Sequence, residues 1–190
     1  MTGAAALTGG FADAPVEAAQ AFRAALQAMA RPGHIFRVTG VAPPAPLPVA
    51  AGVLALTLCD PDTPLWLAPD LATDSLAAWL TFHTGAPIAE DRGQAAFGIG
   101  AWQALAPIDD FAIGTPDYPD RSATLIVLMD HLSGDGPALS GPGIRERAHL
   151  SLPETVAFQR NAALFPQGLD FFFCAGDRLA ALPRTTRVEG

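Results

Sequence analysis

Residues 122–129 read Ser122-Ala123-Thr124-Leu125-Ile126-Val127-Leu128-Met129. The apolar run has no polar alternation, which is the pattern of a strand covered on both faces at the centre of a sheet. Working outward, 169–174 and 179–182 are apolar strands on either side of Ala175-Gly176-Asp177-Arg178, a hairpin signature. Residues 95–99 predict a strand, as does Leu65-Trp66-Leu67, which follows the turn Asp60-Pro61-Asp62-Thr63-Pro64. Three helices are expected. The first starts at Asp13 with Pro15 in its first turn, carries Phe22, Leu26 and Met29 at helical spacing, and stops at Pro32-Gly33. The second is capped by Asp74, sets Leu76, Trp79, Leu80 and His83 on one side, and ends at Thr84-Gly85. The third covers 153–163. The block 50–58 is apolar throughout and reads as either a buried helix or a buried strand. Strands alternating with helices imply an α/β layered domain. One domain is expected over 13–190, after a frayed Gly/Ala-rich start at 1–12.

The 190 residues suffice for one well-cored domain. Apolar residues make up 50% and charged residues 16%, well under the usual quarter, which implies a large core, a covered surface, or both. The formal charge of −8 disfavours nucleic acid and anionic membranes, both of which are met through basic patches. All eleven cations are arginines. The lack of lysine excludes a Schiff base, a pyridoxal-phosphate anchor and a P-loop lysine. No basic residue precedes Arg23, as a leader peptide would require, and the prolines at 43, 44, 46 and 48 interrupt the longest uncharged stretch. A cytoplasmic protein is the expectation.

Candidate chemistry is sparse. Cys59 and Cys174 lie in apolar surroundings and read as inert buried thiols rather than reactive ones. The four histidines have no metal-ligand spacing. His83, at a helix C-terminus, either interacts with the negative end of the dipole or contacts a ligand. Leu139-Ser140-Gly141-Pro142-Gly143-Ile144 is either a tight turn or a loop offering backbone N–H groups to an anion. Pro183-Arg184-Thr185-Thr186-Arg187 gathers cations and hydroxyls that suit a phosphate or carboxylate, or an internal arginine–carboxylate pair. The anion-contact candidates are therefore Arg184, Thr185, Thr186, Gly141, Gly143 and His83. No catalytic residues, metal or cofactor are assigned.

A series of short signatures, in order, resembles one family. They are Phe22-Arg23, Leu26 and Ala28-Met29 with Pro32-Gly33; Leu56-Thr57-Leu58 with Asp60, Asp62-Thr63-Pro64 and Trp66-Leu67; and Phe82-His83-Thr84 with Ala86-Pro87. Gly114-Thr115, Ala123-Thr124-Leu125-Ile126, Leu139 with Gly141 and Gly143-Ile144, Phe165-Pro166 with Gly168 and Asp170, and Pro183-Arg184-Thr185-Thr186 with Val188-Glu189 follow. Together they resemble the PhnH family, a subunit of the bacterial carbon–phosphorus lyase machinery, from Phe22 to Glu189, thinly between 90 and 110. The resemblance implies a three-layer α/β/α sandwich with a central mixed sheet. That fold is similar to the large domain of pyridoxal-phosphate-dependent transferases, without the cofactor. It further implies a homodimer that joins subunits G, I and J. With an ATP-binding partner, that assembly exchanges the adenine of ATP for a phosphonate, and subunit I is regarded as the catalytic component. An accessory, non-catalytic role in making α-D-ribose 1-methylphosphonate 5-triphosphate follows from it. Two other readings stand beside this one: a stand-alone acid–base enzyme using His83 with Asp60 or Asp62, and a small-anion sensor using the Gly141 and Arg184 segments.

Overall fold

The computed structural model describes residues 8–190. The central strand, β4 (Thr124–Leu128), lies in a six-stranded mixed sheet, with a parallel neighbour on each side. On one side are β3 (Phe97–Ala101) and then β2 (Leu65–Leu67); on the other is β7 (Asp170–Ala175). Antiparallel β8 (Arg178–Leu182) and β1 (Phe36–Arg37) complete the sheet beyond β7. Ala123, Leu125, Ile126 and Val127 are fully buried, as their unbroken apolar run predicts. Glycine lets β3 sit this close to its cover: a Cβ at Gly100 would meet the Ala68 Cβ at 2.6 Å.

Three short strands, β5 (Ala138–Ser140), β6 (Ala148–His149) and β9 (Arg187–Glu189), form a second antiparallel sheet in the order β6-β5-β9. Helix α1 (Ala14–Ala30) begins and ends where Pro15 and Pro32-Gly33 direct it. At its start, the Asp13 N–H donates to the Glu17 carboxylate at 2.8 Å. Its inward face, however, is alanine: Ala21, Ala25 and Ala28 are buried. Phe22 and Leu26 are about half exposed, because the small face lets α1 lie close to its neighbours and turns the large side chains outward.

The ambiguous apolar block is a helix, α2 (Val49–Leu58), buried along most of its length. Burial all round gives it no amphipathic signal, which is why periodicity could not separate helix from strand. In α3 (Asp74–Thr84) the cap is Thr73 rather than Asp74: its Oγ1 accepts the Leu76 N–H at 3.2 Å, and Asp74 is the first helical residue. Gly85 closes this helix at φ +74°. The one-turn α4 (Trp102–Leu105) follows β3 directly, and α5 (Val156–Ala163) is shorter than the 153–163 expected. Trp102, Phe158, Phe171 and Phe173 form one aromatic cluster between α4, α5 and β7, with Phe158 edge-on to Phe171 at 4.9 Å.

Part of the expected frayed start, 1–7, lies outside the described residues. From residue 8 onward the chain is tied down: Trp79 Nε1 donates to the Thr8 carbonyl at 2.9 Å and the Ala42 N–H to the Gly9 carbonyl at 2.8 Å.

Candidate functional site

The hairpin register explains where Arg184 goes. Phe171 faces Leu182 across β7 and β8, so the chain beyond Leu182 returns alongside Asp170. The Asp170 carboxylate accepts the Arg184 backbone N–H at 2.8 Å, Nε at 3.2 Å to both oxygens, and Nη2 at 2.6 Å. The remaining guanidinium bonds go to the Pro119 carbonyl at 2.8 Å, the Pro166 carbonyl at 3.5 Å and the Ser122 hydroxyl. Of the two roles left open for Arg184, the internal arginine–carboxylate pair is the one that forms. Its side chain is only 13% exposed, and the pair clamps the hairpin to the segment leading into β4.

The other candidates separate into different places. Thr186 is buried, and its hydroxyl has no hydrogen-bond partner among the described residues. Gly141 and Thr185 share an open groove of about 540 Å³ with Ser140, Pro142, Phe165 and Arg187. Gly143 belongs to a different groove, at the end of α1. His83 lies edge-on to Trp79 and Phe82, both at 5.0 Å, with Gly10 packed against its ring. Its Nε2 is buried without a partner among the described residues. Asp60 Oδ1 accepts the Asp62 N–H instead of orienting His83.

Both thiols are buried. Burial, helped by the Asp60 charge, pushes Cys59 up to about 12, and burial alone raises Cys174 further. Thiolate chemistry at neutral pH is therefore suppressed in the folded chain. Among the described residues no three His, Cys, Asp or Glu side chains gather as a metal site, and no helix is long and apolar enough to cross a membrane.

Two features escaped the sequence reading. A cavity of about 290 Å³ opens between α5 and the segment after β3, floored by Trp102, Ile108 and Leu169, with Asp109, Glu154 and Arg160 among its polar lining. A groove of about 500 Å³ at the end of α1 is lined by Arg31, His34, Arg145 and Arg147. Its sequence signal was the Arg145-Glu146-Arg147 triplet two residues after Gly143, which acquires meaning only when the fold sets it beside Arg31.

The geometry defines a mixed-sheet α/β protein whose best-formed arginine site is directed inward and whose open grooves lie on the surface. The comparisons make this specific. Residues 9–189 match the family model "Bacterial phosphonate metabolism protein (PhnH)", and the chain belongs to that family. It is similar to the α-D-ribose 1-methylphosphonate 5-triphosphate synthase subunit PhnH of Rhizobium meliloti (strain 1021). The two are 43% identical over 96% of this chain and 95% of the relative.

Proposed function

We propose that this chain is an accessory subunit of an α-D-ribose 1-methylphosphonate 5-triphosphate synthase, needed for phosphonate use and without turnover of its own. The 43% identity, over nearly the full length of both chains, to a protein named as that subunit carries the reading. Side-chain geometry supports the lack of turnover. Arg184 is bonded to protein acceptors, His83 Nε2 has no hydrogen-bond partner among the described residues, and the thiols are held protonated. At −8 the chain is also a poor collector of ATP and alkylphosphonates.

In this reading the chain is one domain over 13–190, a three-layer α/β/α sandwich of the pyridoxal-transferase type without the cofactor. It acts in the cytoplasm as a homodimer beside subunits G, I and J. The half-exposed Val16, Phe22 and Leu26 on α1 support a covered face, since each leaves apolar area in water when unpartnered. Within the assembly, the groove shared by Gly141, Thr185 and Arg187 is where a small anion would touch this chain, with Arg184 bracing the strand behind it.

Reconstitution tests the role. A mixture of G, I and J with ATP and methylphosphonate should yield more ribose-linked phosphonate when this chain is added. Equal product without it would overturn the reading.

A further inference from the structure

The acidic balance of this chain makes a groove lined by three arginines informative. Arg31, His34, Arg145 and Arg147 line it, with Glu146 as the acid among the lining residues. Arg147 is partly neutralised by Glu189 at 3.2 Å. The guanidinium groups of Arg31 and Arg145 make no hydrogen bond or ion pair among the described residues, and both residues are exposed. Acids outnumber arginines nineteen to eleven in this chain, yet three of the arginines converge on this groove.

The groove is also built rather than incidental. Gly143, at φ +81°, presses the 141–148 segment onto the end of α1 so closely that a Cβ there would lie 2.1 Å from the Ala30 carbonyl oxygen. A Cβ at Gly33, φ +89°, would lie 2.6 Å from that of Ala148. Two left-handed glycines thus hold the two arginine-bearing segments against each other. Between the cations, Pro32, Ile144 and Ala148 supply apolar lining. An apolar strip between arginines is the composition of a protein interface, where arginine is enriched and long-range charge sets approach and register.

We propose that this groove is the docking surface for an acidic segment of a partner subunit. The inference rests on the accessory-subunit reading and adds to it a surface and a partner chemistry. Complementary charge argues for the occupant: a segment rich in Asp or Glu neutralises Arg31 and Arg145, neither of which has an ion-pair partner among the described residues. The full width of an open, exposed groove suits an extended peptide better than one phosphate group, which is held by more enclosed donors.

The test co-expresses the full chain with subunits G, I and J and measures assembly by copurification and by titration at rising salt. Arg31→Glu with Arg145→Glu, both at exposed positions, should weaken assembly by about tenfold or more and flatten its salt dependence. Arg178→Glu, exposed on β8 and outside the groove, serves as the charge control and should assemble as wild type. Unaltered thermal melting of the double variant establishes that the fold is intact. If wild type assembles and the double variant assembles equally well, the docking inference fails while the subunit reading stands. If wild type does not assemble, both fail. Inorganic triphosphate provides the remaining arm: saturable binding at micromolar concentration that requires Arg31 and Arg145, with assembly unaffected by the reversal, assigns the groove to a small anion and overturns the proposal.

Discussion

Arg184 and Arg31 have the same side chain in opposite circumstances. Arg184 lies behind the hairpin, with its donors directed to Asp170, Pro119 and Ser122. Arg31 ends α1 at the surface, in a groove shared with two other arginines. The sequence singles out Arg184, which stands in a run of cations and hydroxyls, and passes over Arg31, which stands alone before Pro32-Gly33. Composition measures what a segment could offer a ligand. Only the fold determines how much of that offer the protein takes for itself.

Substitutions should separate the two regions cleanly. Arg184→Ala leaves a partly buried Asp170 without its main partner and should cost about 3 kcal/mol in chemical denaturation. A double-mutant cycle with Asp170→Asn should recover much of that loss. Near-additive losses would mean that the pair is not the source of the effect.

The interior is next sharpened by pH. Burial separates the folded from the unfolded ionisation of Cys59 and Cys174 at alkaline pH. Their thiols ionise near 9 when unfolded and Cys59 only near 12 when folded, so the unfolded state loses protons first. Stability contributed by the protonated thiols is whole below about pH 9 and falls as pH rises toward 12. The loss should reach about 2 kcal/mol per thiol by pH 10.5. Cys59→Ala and Cys174→Ala should each flatten that limb in a melting series. An unchanged slope in both would show that the thiols do not cause it. Neither thiol should react with a thiol reagent at pH 8 until the protein is denatured.

A smaller effect is expected at the groove. Gly143→Ala forces a side chain into left-handed backbone against the Ala30 carbonyl and should cost about 1–2 kcal/mol. It should also weaken assembly by displacing Arg145 from Arg31. Arg31→Ala alone should change stability by less than about 0.5 kcal/mol, since its side chain makes no hydrogen bond or ion pair among the described residues. A large loss there would erase the contrast with Arg184.

The fold was more legible than the site for a physical reason. Strand β4 was readable because full burial on both faces demands an unbroken apolar run, and the β7–β8 hairpin because Gly176 at φ +57° is what its turn requires. Helix α2 was not, since a helix buried on every side carries no periodicity. On α1 the large residues Phe22 and Leu26 carry the helical spacing, yet the close-packed face is Ala21, Ala25 and Ala28. The Asp170–Arg184 pair could have been inferred, because the hairpin register already places position 184 beside 170. Nothing comparable links Arg31 to Arg145 and Arg147, which meet only through the packing of Gly143 on α1.

The central claim is that this chain contributes surface rather than chemistry. Adenine released from ATP in the presence of methylphosphonate, measured on the isolated protein, tests it most directly. None above the buffer rate is predicted from the chain alone, with adenine appearing once the partner subunits are added. Release by the purified chain that tracks its concentration and vanishes in a His83→Ala variant would contradict the claim and return the acid–base reading to first place.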